Sequence, residues 1–257
     1  MEAVKVAAIQ HDIVWLDRDA NFARLEPMIR EAAAAGARLV VLAEMFSTGF
    51  AMGDEWASRL AEPRDGASSQ FLREVARSCG VWVAGSCPEL ASESSLPANT
   101  LVIAGPNGEV HRYEKIHPFR YGGEDKYFRA GSGHLTVDIE GLAVSAFVCY
   151  DLRFADHFWA LAKTTDLFIV PANWPASRAA HWTTLLNARA IENQAHVLGV
   201  NRVGTGGSLQ YGGGSRIVGP FGECLAEAGD EEAILFAEVS HELVAETRAR
   251  YPFLQDR

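Results

Sequence analysis

Apolar residues along the chain fall alternately into short unbroken runs and into runs spaced by three and four, the pattern of buried strands alternating with amphipathic helices. Val4-Lys5-Val6-Ala7-Ala8-Ile9 reads as a short buried strand. Phe22, Leu25, Ile29, Ala32 and Ala33 then recur at helical steps, with Asp19 as N-cap and Gly36 as the closing residue. Pro27 lies inside this run and removes a backbone donor, so a kink or a later start is expected. Residues 39–43 form an apolar strand that ends at Glu44. Phe71, Leu72, Val75, Ala76 and Cys79 share one face of a second helix, which closes at Gly80, leads to a strand over 81–84 and puts Cys79 in the core. Residues 100–104, the turn Pro106-Asn107-Gly108-Glu109 and residues 110–113 predict a hairpin whose far strand runs into Lys115.

The second half repeats this plan: a strand over 142–148, a helical stretch near 158–162, a strand over 167–170, a helix over 182–193 and a strand over 197–201. It also closes on a hairpin, in which Pro220-Phe221-Gly222-Glu223 follows Arg216-Ile217-Val218 much as Pro106 to Glu109 follow Leu101-Val102-Ile103. Two echoing halves predict an α/β fold with two β layers face to face and helices outside. No linker rich in Pro, Ser or charge interrupts the chain, so residues 1–257 are expected to form one domain.

Composition narrows the partners. With 48% hydrophobic and 22% charged residues the chain has the balance of a folded globular protein, and 23 basic against 33 acidic residues give a net charge of -10. That sign argues against nucleic acid or an anionic membrane surface as the main partner and leaves a small molecule. The N-terminus lacks a basic segment followed by an apolar one, and no apolar run reaches the roughly 20 residues that span a bilayer. Cys79, Cys87, Cys149 and Cys224 form no C-x-x-C pair, which fits a reducing cytoplasm. The eight histidines show no H-E-x-x-H spacing, so no metal is expected. The glycine-rich stretches 204–207 and 212–214 lack the strand-to-helix context and following Lys-Ser/Thr of a phosphate loop and are taken as loops.

Three residues stand where chemistry would be placed. Cys149 follows an apolar strand and precedes a helix, a turn that lifts a side chain to the sheet edge, beside backbone N–H groups able to hold an oxyanion. Alone, it reads more readily as a buried strand cysteine than as a nucleophile. Glu44 ends a wholly apolar strand, where a carboxylate must find a cation, several donors, a proton or water. Lys115 ends another strand and by itself would be a solvated surface charge. Together they fill three roles of acyl transfer: nucleophile, base and oxyanion-stabilising cation. His117, on the same strand face as Lys115, offers a rival Cys-His arrangement but is better read as structural.

In Ala43-Glu-Met-Phe-Ser-Thr-Gly-Phe50, Glu114-Lys-Ile-His-Pro-Phe119 and Val148-Cys-Tyr-Asp-Leu-Arg-Phe154, these residues resemble the Glu-Lys-Cys triad of the nitrilase superfamily of carbon-nitrogen hydrolases. Both hairpins and Asn187-Ala-Arg-Ala-Ile-Glu-Asn-Gln194 fit the same family pattern, so the resemblance covers nearly the whole chain. It implies a four-layer α-β-β-α sandwich, usually paired as a homodimer, and no cofactor. Carried onto this sequence, it makes Glu44 the general base, Lys115 the oxyanion stabiliser, Cys149 the nucleophile and Glu124 a second glutamate that positions the lysine. Tyr150-Asp151-Leu152-Arg153-Phe154 resembles the amidase branches, where true nitrilases place Trp-Glu after the cysteine. Asn173-Trp174-Pro175-Ala176-Ser177-Arg178, His181-Trp182 and Asn201-Arg202-Val203-Gly204 are similar to the bacterial omega-amidases, although Ala43 and Ala155-Asp156 stand where that group often has Pro and Pro-Glu.

The resemblance implies that Cys149 attacks an amide such as the terminal amide of 2-oxoglutaramate, with the Tyr150 backbone N–H joining Lys115 at the oxyanion. Arg153 or Arg178 would pair with the distal carboxylate, or else form structural ion pairs. Trp174 and Phe119 complete the expected substrate contacts, whereas Trp182 is by default core. Pocket shape is expected to depend on the loops at 47–61 and 119–131, and the apolar C-terminal segment 250–257 to pack on a neighbouring chain. An N-carbamoyl-amide hydrolase of the same superfamily and a catalytically silent relative binding a small acid or a protein are the alternatives.

Overall fold

The computed structural model of the protein describes residues 3–53, 56, 59–90 and 96–257. Two sheets face one another. The first contains β1 (Val4–Gln10), β2 (Leu39–Val41), β3 (Glu62–Pro63), β4 (Trp82–Leu90), β5 (Ala98–Ala104), β6 (Val110–Glu114) and the late strand β15 (Ala233–Val239), in the order β15-β1-β2-β4-β5-β6 with β3 paired to β4. The second contains β7 (Thr136–Ile139), β8 (Leu142–Ala146), β9 (Leu167–Pro171), β10 (His196–Val200), β13 (Arg216–Val218) and β14 (Cys224–Glu227), in the order β14-β13-β10-β9-β8-β7. A separate hairpin joins β11 (Val203–Gly206) to β12 (Leu209–Gly212).

The two orders correspond strand for strand. Counted from β6 and from β14, the pairings run antiparallel, antiparallel, parallel, parallel and antiparallel in both sheets. The echo noticed in the two turns extends to their hydrogen bonds: Glu109 Oε2 accepts from Asn107 N and Glu223 Oε2 from Phe221 N, each at 3.0 Å. Gly85 and Gly199 hold the same register position, opposite Val102 and Arg216. At each a Cβ would collide, with the Phe46 ring at 2.7 Å or with Leu186 at 2.5 Å, so neither strand admits a side chain there.

Alternation builds the layers. In β1 and β2, Val6, Ala8, Leu39 and Val41 face the second sheet and share a core with Val144, Ala146, Ile169 and Leu198. Ala7, Ile9 and Val40 face the other way and pack with Leu25, Ile29 and Ala32 of α1 (Arg18–Ala34) and Leu72, Val75 and Ala76 of α2 (Ala67–Cys79). The outer face of the second sheet is covered by α3 (Ala155–Leu161) and α4 (Ala179–Asn193), of which α4 buries Trp182, Leu186 and Ala190, while α5 (His241–Arg250) is tied to Thr165 O and Asn193 O through Arg248. This is the expected α-β-β-α sandwich. No helix among the described residues is long and apolar enough to cross a membrane.

Several local expectations need correction. The N-cap of α1 is Asp17, whose side chain accepts from Ala20 N, and not Asp19. The helix runs through Pro27 from Arg18, with no later start, because the packing of its buried face outweighs one lost backbone bond. Cys79 is half-buried, 4.0 Å from Arg30 Nη1, and does not belong to the fully buried core. Residues 204–207 are not a plain loop. They close the β11–β12 hairpin around the two residues Gly207 and Ser208, with Gly207 at φ 58. The ladder of β8 stops at Ala146, before the expected end at 148, and α4 begins three residues earlier than its periodicity suggested, at Ala179.

Candidate active site

The expected triad converges between the two sheets. β2 ends its parallel pairing at Val41, and three residues later the chain turns with Glu44 fully buried. β6 ends at Glu114, and the next residue, Lys115, stays fixed because its N–H donates to Asn99 O at 2.9 Å. Lys115 Nζ donates to Glu44 Oε1 at 2.9 Å and to Glu124 Oε2 and Oε1 at 2.8 and 3.1 Å. A buried lysine thus holds two buried carboxylates, one from each side, and together they carry one net negative charge when all three are ionised. Asn99 Nδ2 ties the pair together, donating to Glu44 Oε1 at 2.8 Å and to Glu124 Oε1 at 3.2 Å. Asn173 closes the other side: its N–H donates to Glu44 Oε2 at 2.8 Å and its side-chain amide to Glu44 O at 2.5 Å. Charged groups removed from water require such saturation, since an unpaired buried charge costs several kcal/mol.

Cys149 sits on a strained turn. Its φ is 46, the left-handed region that residues with a Cβ avoid at about 1–3 kcal/mol. Val148 before it is extended, and residues 149–153 form a single 3-10 turn before α3. Asp151, almost wholly buried, holds this turn: its carboxylate accepts from Val148 N (3.1 Å), Tyr113 Oη (2.8 Å) and His117 N (2.9 Å), and lies 3.0 Å from His117 Nδ1. The His117 ring stacks on Phe154 at 3.5 Å, so its ring serves the turn, as the structural reading of this histidine expected.

Burial first, and the Glu44 charge second, push the Cys149 thiol well above its ordinary value, with Lys115 opposing. The resting sulfur therefore keeps its proton, with the Glu44 carboxylate among the charges that act on it. Burial works against the Lys115 charge, but Glu124 and then Glu44 outweigh it and hold this ammonium above its usual range. Burial raises the Glu124 carboxyl, partly offset by Lys115.

A pocket open to solvent at its mouth leads to Cys149. Every substrate-contact candidate named from the sequence lines it: Arg153, Trp174, Arg178 and Phe119, with Tyr150 beside the nucleophile. Arg153 lies over the Trp174 ring at 4.7 Å and reaches His181 Nδ1 at 3.2 Å, and Arg178 lies over Phe119 at 5.4 Å. Neither forms an ion pair with a carboxylate among the described residues, so the structural ion pair weighed against their binding role does not occur there. Trp182 is core, donating to Gly214 O at 2.7 Å. Phe119 and Glu124 come from the 119–131 segment, folded into 3-10 turns over Arg120–Gly122 and Glu124–Lys126. In the 47–61 loop, Phe50 lines the pocket, while residues 54, 55, 57 and 58 lie outside the described residues.

Sequence reasoning did not single out Asn99, Asp151, Leu209 or Tyr211, and used Asn173 only as part of a motif. Asn173 has a legible signal, a polar residue ending an apolar strand as Glu44 does. Asn99 has none, since it enters from the start of β5.

A thiol against a buried carboxylate, beside an ammonium fixed by a second carboxylate, is the equipment of a thiol-dependent amide hydrolase. The carbon-nitrogen hydrolase family model matches residues 5–249, and the chain belongs to that family. It is 38% identical over 259 residues to Omega-amidase YafV of Escherichia coli (strain K12), covering 100% of this chain and 97% of that protein. The 2-oxoglutaramate amidase of Bacillus subtilis (strain 168) is 33% identical, covering 98% of this chain and 96% of its own length. Among solved structures, XC1258 from Xanthomonas campestris, a CN-hydrolase superfamily protein with an arsenic adduct in its active site, superposes with a TM-score of 0.94 at 33% identity, covering 100% of this chain and 98% of that one. These relatives favour neither the N-carbamoyl-amide hydrolase nor the silent binder.

Proposed function

We propose that this single-domain protein hydrolyses the terminal amide of a small carboxylate-bearing substrate, 2-oxoglutaramate in the first instance, through a thioester on Cys149. One observation carries the reading: Glu44 and Glu124 hold the buried Lys115 ammonium between them, at the pocket that Cys149 and Lys115 line together. Glu44 takes the thiol proton as sulfur attacks the amide carbon. Lys115, fixed by Glu44 and by both oxygens of Glu124, stabilises the oxyanion, joined by the Tyr150 backbone N–H. The tetrahedral adduct collapses to the thioester, and the proton held by Glu44 leaves with nitrogen as ammonia. A water deprotonated by Glu44 then splits the thioester, releasing the acid and restoring the thiol.

Arg153 and Arg178 supply the carboxylate-binding cations. Among the described residues the lining holds both arginines and no carboxylate, which suits an anionic substrate. The relatives named omega-amidase and 2-oxoglutaramate amidase support the same substrate class.

Ammonia release from wild type and Cys149→Ala with 2-oxoglutaramate, glutamine, a simple nitrile and an N-carbamoyl amino acid tests the proposal. Cys149-dependent turnover of 2-oxoglutaramate far above the rest is expected; release of carbon dioxide with ammonia from the carbamoyl compound alone would refute it. We also propose that two copies pair in the cytoplasm, because Ile191, Phe221 and Phe253 stay exposed on one surface linked by the Phe221–Tyr251 and Tyr251–Phe253 ring contacts. A sedimentation mass of one chain would exclude the pairing.

A further inference from the structure

The β11–β12 hairpin is the part of the pocket that the triad chemistry leaves without a role. Leu209 and Tyr211 stand two apart on β12, share one face, and line the pocket opposite the segment that carries Arg178. Tyr211 is 5% exposed, yet no hydrogen bond holds its hydroxyl among the described residues. What holds the ring is unusual. Arg202, fully buried, lies against it at 4.7 Å. The guanidinium is fixed in turn by Asp12 Oδ1 (2.8 Å), Ile13 O (3.1 Å), Thr205 O (3.1 Å) and Val203 O (3.0 Å). Gly206 closes this stack. A Cβ there would come within 2.8 Å of Arg202 Nη1 and 3.0 Å of the Tyr211 ring, so the hairpin meets the arginine through bare backbone. A buried cation with this many partners is an expensive way to orient one aromatic ring unless its free end has a task.

We propose that Tyr211 is a specificity-determining residue, whose hydroxyl donates a hydrogen bond to the 2-oxo oxygen of the substrate while an arginine at the pocket mouth holds the adjoining carboxylate. The proposal deepens the omega-amidase reading and rests on it. Burial pushes the Tyr211 hydroxyl up to about 12, so it remains a donor at any physiological pH. Its donor is matched by the chemistry around it: among the described residues the lining offers cations, Tyr211 and the Asn173 amide, but no carboxylate to receive an ammonium. A 2-oxo acid presents only acceptors at that end. A 2-amino acid such as glutamine would bring a cation among arginines, with nothing to pair it.

The experiment compares 2-oxoglutaramate with glutaramate, the same chain with a methylene in place of the oxo carbon, in wild type and in Tyr211→Phe, which keeps the ring and its stack on Arg202. Losing one neutral hydrogen bond corresponds to a drop of about three- to tenfold. That drop is expected in kcat/KM for 2-oxoglutaramate, mainly through KM, with glutaramate unchanged. Equal loss on both amides, or no loss on either, overturns the proposal. A second measurement needs no variant: in the wild-type protein the product 2-oxoglutarate should bind more tightly than glutarate by a similar factor, and the reverse order also overturns it. The two layers separate cleanly. Wild-type turnover without discrimination by Tyr211 removes this inference alone, whereas no turnover of either amide removes the omega-amidase reading and this inference with it.

Discussion

The two sheets are built on one plan, yet of the two equivalent sets of strand ends that plan generates, only one carries the triad. Three residues beyond the last parallel pair, β8 leads to Cys149, and the same step along β1 leads to His11. The partner strands show the converse: three residues beyond its pairing β2 leads to Glu44, and β9 leads to Ala172. Where β6 leads to Lys115, three residues past Arg112, β14 leads to the exposed Asp230, three past Glu227. Each half thus supplies what the other lacks, the acid–base pair from the first and the nucleophile from the second. At the equivalent positions the fold places a neutral, fully buried histidine and an alanine. A repeated scaffold fixes where side chains emerge; their identity and saturation decide whether chemistry is possible there.

The strongest test of that contrast is to move the nucleophile. Cys149→Ala should lower turnover by about 10³-fold or more, and adding His11→Cys should restore none of it, because the charges acting at that position are Arg202 and Glu232 and not the Glu44–Lys115 pair. Recovery of turnover in the double variant would break the comparison. Lys115→Met comes next. It leaves Glu44 and Glu124 buried and unneutralised, so we expect a loss of about 3–5 kcal/mol in unfolding free energy together with near-complete loss of turnover, both read on the same preparation by denaturant titration and ammonia release. A smaller effect is expected from Asp151→Asn, which keeps the shape of the Cys149 turn but replaces one acceptor oxygen by a donor. Turnover should fall about 10- to 100-fold with KM little changed, and the fall should be absent in Tyr113→Phe alone if Val148 N is the contact that matters.

The smallest effect concerns the silent strand ends. Burial lowers His11 to about 4, so between its ordinary pKa near 6.5 and that value the unfolded chain binds a proton that the folded one refuses. Its contribution is complete above pH 6.5 and is lost as pH falls toward 4, up to about 3 kcal/mol from a shift of this size. His11→Gln should flatten the pH dependence of unfolding in that window. An unchanged slope would mean that His196, also lowered to about 4 by burial, carries the effect.

The echo of the halves was legible because it is written in local chemistry. Pro-x-Gly-Glu turns and runs such as 101–103 and 216–218 dictate hairpins whatever surrounds them. The amphipathic face of α2 and its stop at Gly80, which adopts φ 68, were equally local. The β11–β12 hairpin was missed because its glycines dilute the alternation, so Tyr211 looked like part of a loop. Asp17 was passed over as cap because Asp19 stands two residues on, and the choice depends on where the chain leaves Leu16.

By itself the sequence determined the alternation of strands and helices, the strand-end positions of Glu44, Lys115 and Cys149, and, through family resemblance, their roles; periodicity and turn chemistry act over a few residues and need no partner. Tertiary structure alone decided what those residues face. Glu44 and Lys115 lie 71 positions apart, and Asn173 reaches Glu44 across 129, separations over which no local rule operates. Whether a carboxylate at a strand end meets water or an ammonium is set by which strand ends and segments the fold gathers: Glu44 and Glu124 close on Lys115 from its own sheet and the 119–131 segment, and the second sheet adds Asn173 and brings Cys149 to the same pocket.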